Sequence, residues 1–163
     1  MAKNKEEKTN VMRVLEQKKI AYTPHSYPHE EGVAVDGVTV AQSMGFDPAI
    51  VFKTLVARGA SKQYYVFDVP VAANLDLKKA AKAVGEKSIE MIHQKELLPL
   101  TGYVHGGCSP VGMKKLFPTV FHSSAENLAA MIVSAGKIGY QVELSPRDLA
   151  ALVRAKFADI IVE

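Results

Sequence analysis

A single cysteine, Cys108, stands among the 163 residues, so no disulfide can form within the chain. No stretch approaches the roughly 20 apolar residues that a membrane helix requires, because charges, Gly or Pro interrupt every hydrophobic run. That excludes a helical membrane span and predicts a soluble protein with no membrane partner. The first eight residues, Met-Ala-Lys-Asn-Lys-Glu-Glu-Lys, are a polar charge mixture with no apolar signal region behind them, so they are expected to be frayed and the protein cytoplasmic. A dense arginine-rich tract is also missing. Twenty Lys plus Arg against seventeen Asp plus Glu give a formal charge of +3, which permits an RNA partner and does not demand one. Internal repeats and low-complexity segments are absent too.

What is present is enough apolar material for one core: 48% hydrophobic residues over the length of an ordinary domain predict a single domain across 1–163 that folds without metal, cofactor or disulfide. The spacing of Val11, Val14, Leu15 and Lys18 predicts a helix over 10–19 with Thr9 or Asn10 as N-cap. The Pro- and aromatic-rich stretch 20–29 favours extended backbone and places Tyr22 and Tyr27 on or near a strand. Residues 32–37 read as a loop, 39–44 as a short helix stopped by Gly45, and Asp47-Pro48 as a capped turn. Val51–Ala57 and Tyr64–Val69, joined by a linker containing Gly59, form the clearest hairpin. Asp76 caps a helix carrying Leu77, Ala80, Ala81 and Val84, which Gly85 closes.

Short strands follow over 88–92, 103–105, 119–121, 131–134 and 140–144, with Gly136-Lys-Ile-Gly139 as a tight turn between the last two. Ser145-Pro-Arg-Asp148 opens a helix to Arg154, and a strand over 157–162 ends the chain. Strands mixed with short helices in no strict βαβ order predict an α+β fold around a curved mixed sheet or partial β-barrel.

Lys53 is the most informative residue for chemistry. Its same-face strand neighbours are Val51 and Leu55, so its ammonium points into apolar surroundings and needs a carboxylate or a phosphate-like ligand, unless its stem alone lies along the core. The run His105-Gly-Gly-Cys-Ser-Pro-Val-Gly112 reads equally as an oxyanion cradle or as a tight structural turn. Cys108 lacks a base fixed by the sequence, which argues against a thiol nucleophile. His25 and His29 are spaced like a helical zinc pair, but Pro28 lies between them and no metal is expected. His93, His105 and His122 are scattered among different elements. Asp148 fits helix capping before substrate binding on pattern alone. Lysine clusters at 78, 79 and 82 and at 114 and 115 give a weak signal for an RNA backbone.

Taken in order, the segment before Tyr27, the strand Val51-Phe-Lys-Thr-Leu-Val56, the helix Asn74-Leu-Asp-Leu-Lys-Lys-Ala-Ala81, the loop Gly106-Gly-Cys-Ser-Pro-Val-Gly112, Ser134-Ala-Gly-Lys137 and Ser145-Pro-Arg-Asp-Leu149 resemble the YbaK/EbsC family over nearly the whole chain. That resemblance implies a fold like the editing domain of bacterial prolyl-tRNA synthetase and a deacylase that removes a wrong amino acid from a tRNA 3′ end. The implied substrate is Cys-tRNA(Pro), whose own thiol attacks the ester to leave a cyclic thiolactone. Prolyl-tRNA synthetase is the implied partner. Carried over, it makes Lys53, Gly106 and Gly107 catalytic, and Tyr27, Lys53, Thr54, Ser109 and Asp148 substrate-binding, reversing the preference at Asp148. The alternatives are a water-using Ala-tRNA(Pro) deacylase and a non-catalytic tRNA- or synthetase-binding module.

Overall fold

The computed structural model describes residues 8–163; the expected fraying of the first eight residues therefore falls, but for Lys8, outside the described part. Lys8 is tied down by Glu16 at 3.0 Å. Among the described residues are helices α1 (Asn10–Gln17), α2 (Gly37–Met44), α3 (Leu77–Val84), α4 (Gln94–Thr101) and α5 (Pro146–Val153). The strands are β1 (Thr23–Ser26), β2 (Phe52–Gly59), β3 (Tyr64–Pro70), β4 (Ile89–Met91), β5 (Thr119–His122), β6 (Met131–Ser134), β7 (Tyr140–Leu144) and β8 (Lys156–Ala158).

Local chemistry sets most boundaries as the sequence predicts. Thr9, Asp36, Asp76 and Ser145 each offer a side-chain oxygen to an unpaired N–H of the first turn behind them. Gly45 and Gly85 close α2 and α3 at φ near +75°, where a side chain would be strained. One expected strand is missing, the closing strand expected over 157–162 ends at Ala158, and one helix goes unpredicted. No strand forms over 103–105, because Tyr103 turns into the core, donating its hydroxyl to Val111 O and its backbone N–H to Thr101 Oγ1. Helix α4 goes unpredicted because Pro99 lies inside it, yet Glu96 secures its start by accepting the His93 N–H at 2.9 Å, and Leu97 is buried.

The strands form two sheets, in the order β1-β7-β6, all antiparallel, and β4-β2-β3-β5-β8, mixed. The parallel pairs are β3–β5 and β5–β8. A single bridge, Val51 to Ile132, links the sheets where β2 begins, and they do not close into a barrel. Even-numbered residues of β2 and β3, including Phe52, Val56 and Val66, join α1, α5, β6 and β7 in the main core. The opposite face, with Ala57, Phe67 and Val69, packs under α3. This α+β arrangement leaves the first turn of β2 at the seam between the sheets, where the polar residues collect.

Candidate functional site

A cavity of about 510 Å³ opens at that seam, within the range of small-molecule sites. Tyr27 enters it from just beyond β1, Asp36 and Gly37 from the start of α2, and Lys53 and Thr54 from β2. His105, Gly106 and Cys108 come from the glycine loop, Ser134 from the end of β6, and Tyr140 and Gln141 from β7. Six separate segments thus meet in one hollow.

Lys53 is its sole lysine or arginine, half-buried, and makes no ion pair or hydrogen bond among the described residues. Burial pulls its ammonium below the ordinary lysine range, and the charge of Asp36 partly opposes that. Asp36 is itself held by the Thr39 N–H at 3.2 Å and the Thr39 hydroxyl at 3.3 Å. Thr54, beside Lys53, donates its hydroxyl to Asp68 on β3 at 2.5 Å. Gln141 is 6% exposed, and its Oε1 has no partner among the described residues. A lone half-buried ammonium and an unpartnered carbonyl are the features of a hollow built to receive a polar ligand, since each is costly while unmatched.

The glycine loop supplies donors unevenly. Gly106, at φ +90°, lines the cavity, and its N–H has no partner among the described residues. The N–H of Gly107, by contrast, donates to Val104 O at 2.9 Å, and a Cβ there would stand 3.0 Å from Ile138 N. Gly107 therefore closes a turn against the 137–138 backbone, and its N–H is not available as an oxyanion donor.

Residues 32–152 match the aminoacyl-tRNA editing domain family. The Enterococcus faecalis protein named "Putative Cys-tRNA(Pro)/Cys-tRNA(Cys) deacylase EbsC" is 45% identical over 161 residues, covering 98% of each chain. The chain belongs to the aminoacyl-tRNA editing family. A crystal structure of a "putative trans-editing enzyme for prolyl tRNA synthetase" superimposes with a TM-score of 0.79 at 25% identity, over 94% of this chain and 95% of that one. The hypothetical protein APE2540, at 19% identity and a TM-score of 0.82 over 93% and 99% of the two chains, shares the fold.

Within this editing domain, Tyr27, Lys53, Thr54 and Gly106 come together, as the sequence expects. Ser109 does not reach the hollow: it is wholly buried, with its Oγ accepting the Val111 N–H at 3.2 Å, so it braces the loop. Nor is Asp148 among the lining residues. It sits exposed in the first turn of α5, its own N–H held by Ser145 Oγ at 3.2 Å, in the position of a dipole-stabilising acid.

The editing domain's one thiol, Cys108, is buried. Burial pushes Cys108 up to about 12, with the charge of Asp68 adding to the rise, which leaves no thiolate near neutrality. His25 pairs with Glu143 at 2.8 Å, and His29 Nδ1 meets Tyr27 O at 2.9 Å, so the two rings have separate partners. Lys79 is bound to Asp159 at 3.0 Å and Lys114 to Pro99 O at 3.3 Å. Three polar residues in or next to the hollow escape the sequence reading: Asp36 and Gln141, which line it, and Asp68, which holds Thr54. Asp68 left a signal, an acid in the middle of the apolar strand Tyr-Tyr-Val-Phe-Asp-Val.

Proposed function

We propose that this protein is a single-domain, cytoplasmic trans-editing deacylase that clears Cys-tRNA(Pro), with prolyl-tRNA synthetase supplying part of the tRNA selection. The observation that carries the reading is Lys53, the unpaired cation of a ligand-sized hollow in a chain of the editing family. The 45% identity to the enterococcal protein over both whole chains supports the choice of cysteinyl ester. The modest formal charge of +3 fits a protein that shares recognition of the tRNA body with a synthetase.

In this reading the terminal adenosine lies over the seam with a phosphate or ribose oxygen on Lys53. The Gly106 N–H faces the ester carbonyl and stabilises the charge that develops there. Tyr27 and Thr54 bound the aminoacyl group. The α-ammonium goes to the Gln141 carbonyl and the Asp36 carboxylate, in place of Asp148. The substrate's thiol attacks its own ester carbonyl, the bond to the 3′ oxygen breaks, and a cyclic thiolactone leaves, an intramolecular acyl substitution that consumes no water and is in that sense lyase-like. Orienting thiol and ester within one molecule can supply about 7 to 11 kcal/mol in favourable cases.

Deacylation of Cys-, Ala- and Pro-tRNA(Pro) by wild type and Lys53→Ala tests this. Cleavage of the cysteinyl ester alone, abolished by the substitution, is the expected result. Cleavage of the alanyl ester would move the chemistry to water, and cleavage of none would leave a binding module.

A further inference from the structure

Asp68 lies in the middle of β3 with no exposure at all. Its carboxyl has one hydrogen-bonding partner, the Thr54 hydroxyl, across the β2–β3 register, and its Oδ2 has none among the described residues. Phe67 and Val69, its chain neighbours, are fully buried, and Phe121 stands opposite it on β5. A carboxyl in such a place destabilises the fold, and an apolar side chain would serve the core better. Thr54, the group it holds, lines the cavity. A hydrogen-bonded path thus runs from the hollow through one hydroxyl to a buried acid.

We propose that Asp68 is the proton acceptor of the reaction in this cavity, acting through the hydroxyl of Thr54. The proposal rests on the deacylase reading. As the substrate sulfur attacks the ester carbonyl, its proton passes to Thr54 Oγ1 while the proton of Thr54 passes to Asp68 Oδ1. The carbon–sulfur bond forms, the carbon–oxygen bond to the tRNA breaks, and the departing 3′ oxygen takes its proton back along the same path. Asp68 ends ionised, as it began, and no further reagent is consumed.

Burial lifts the Asp68 carboxyl to about 7, which suits a base working near neutrality. Facing it are Thr54 from β2, Phe121 from β5 and Cys108 from the glycine loop. Of these, Cys108 alone titrates, and only near 12. Lys53 lies on the opposite face of β2 from Thr54.

The test is kcat/KM for Cys-tRNA(Pro) from about pH 5.5 to 9. Wild type should rise through an inflection near 7, the position to which burial lifts Asp68. Asp68→Asn should lose the inflection and about 100-fold in rate, with KM unchanged. Thr54→Val should match it, and Thr54→Ser should restore the inflection. An Asp68→Asn protein that keeps the wild-type rate and profile overturns the proposal. Should that variant fail to fold, a Thr54→Val protein that keeps the inflection overturns it equally. A wild type inactive on every ester sinks the deacylase reading and this inference with it, whereas an active wild type with an unchanged Asp68→Asn removes only the inference.

Discussion

Asp36 does two things at once: its carboxylate caps α2 through the Thr39 N–H, and its charge opposes the loss of a proton from Lys53, which lines the same cavity. Asparagine caps a helix about as well as aspartate but carries no charge. Asp36→Asn should therefore leave thermal stability almost unchanged while deacylation begins to fail at a lower pH on the alkaline side, because burial of Lys53 then acts unopposed. Asp36→Ala should add a loss of about 1 kcal/mol in stability. Paired melting curves and alkaline rate profiles check this; an alkaline limb that Asp36→Asn does not move would separate Asp36 from Lys53.

Cys108 is 7% exposed and titrates near 12, so it should resist alkylation at neutral pH in the folded protein and react fully once unfolded. Cys108→Ser should keep deacylase activity within a few-fold. Mass spectrometry of protein quenched during turnover checks the same point, and an acyl adduct on Cys108 would reinstate it as the nucleophile.

The parts of this structure legible in the sequence are those where one residue type has one physical use. Asp76 and Ser145 read as caps, Thr9 as one of two candidates beside Asn10, and Gly45 and Gly85 as helix ends, and the structure has Thr9, Asp76, Ser145 and both glycines in those places. Lys53 is legible because strand alternation alone puts it among apolar neighbours. Asp36 reads as loop because nothing local marks it as facing a lysine seventeen residues on, and Gln141 because its neighbours across the seam come from distant segments. Ser109 and Asp148, which the resemblance places at the substrate, stand outside the lining of the hollow, where their short motifs also serve a loop brace and a helix N-terminus.

The glycine loop is held against the 137–138 turn by the lack of a side chain at Gly107. A Cβ there would meet Ile138 N at 3.0 Å and the Lys137 backbone at 3.3 Å, and backbone cannot swing aside as a side chain can. Gly107→Ala should cost about 1 to 3 kcal/mol and lower Tm by several degrees. It should also reduce deacylation, since Gly106 rides on the same turn. A variant as stable and as active as wild type would mean that the loop is free to shift.

The acid that the reaction is inferred to use should also weaken the fold. Asp68 rises from an ordinary 3.8 to about 7 on burial, a change equivalent to about 4 kcal/mol of preference for the neutral form. Because the folded value lies above the unfolded one, the native state holds the proton more tightly. The resulting stability is complete below about pH 4 and is lost as pH rises through 7. Asp68→Asn removes this titration, so urea unfolding across that window should show wild type losing up to about 4 kcal/mol relative to the variant, with the gap level above it. A gap that does not vary with pH would mean that Asp68 keeps one charge state in both folded and unfolded chains. A gap that stops widening at the pH where activity reaches half its maximum would tie the two together: the ionisation that weakens the β3 core is then the one that readies the Thr54 hydroxyl to accept a proton.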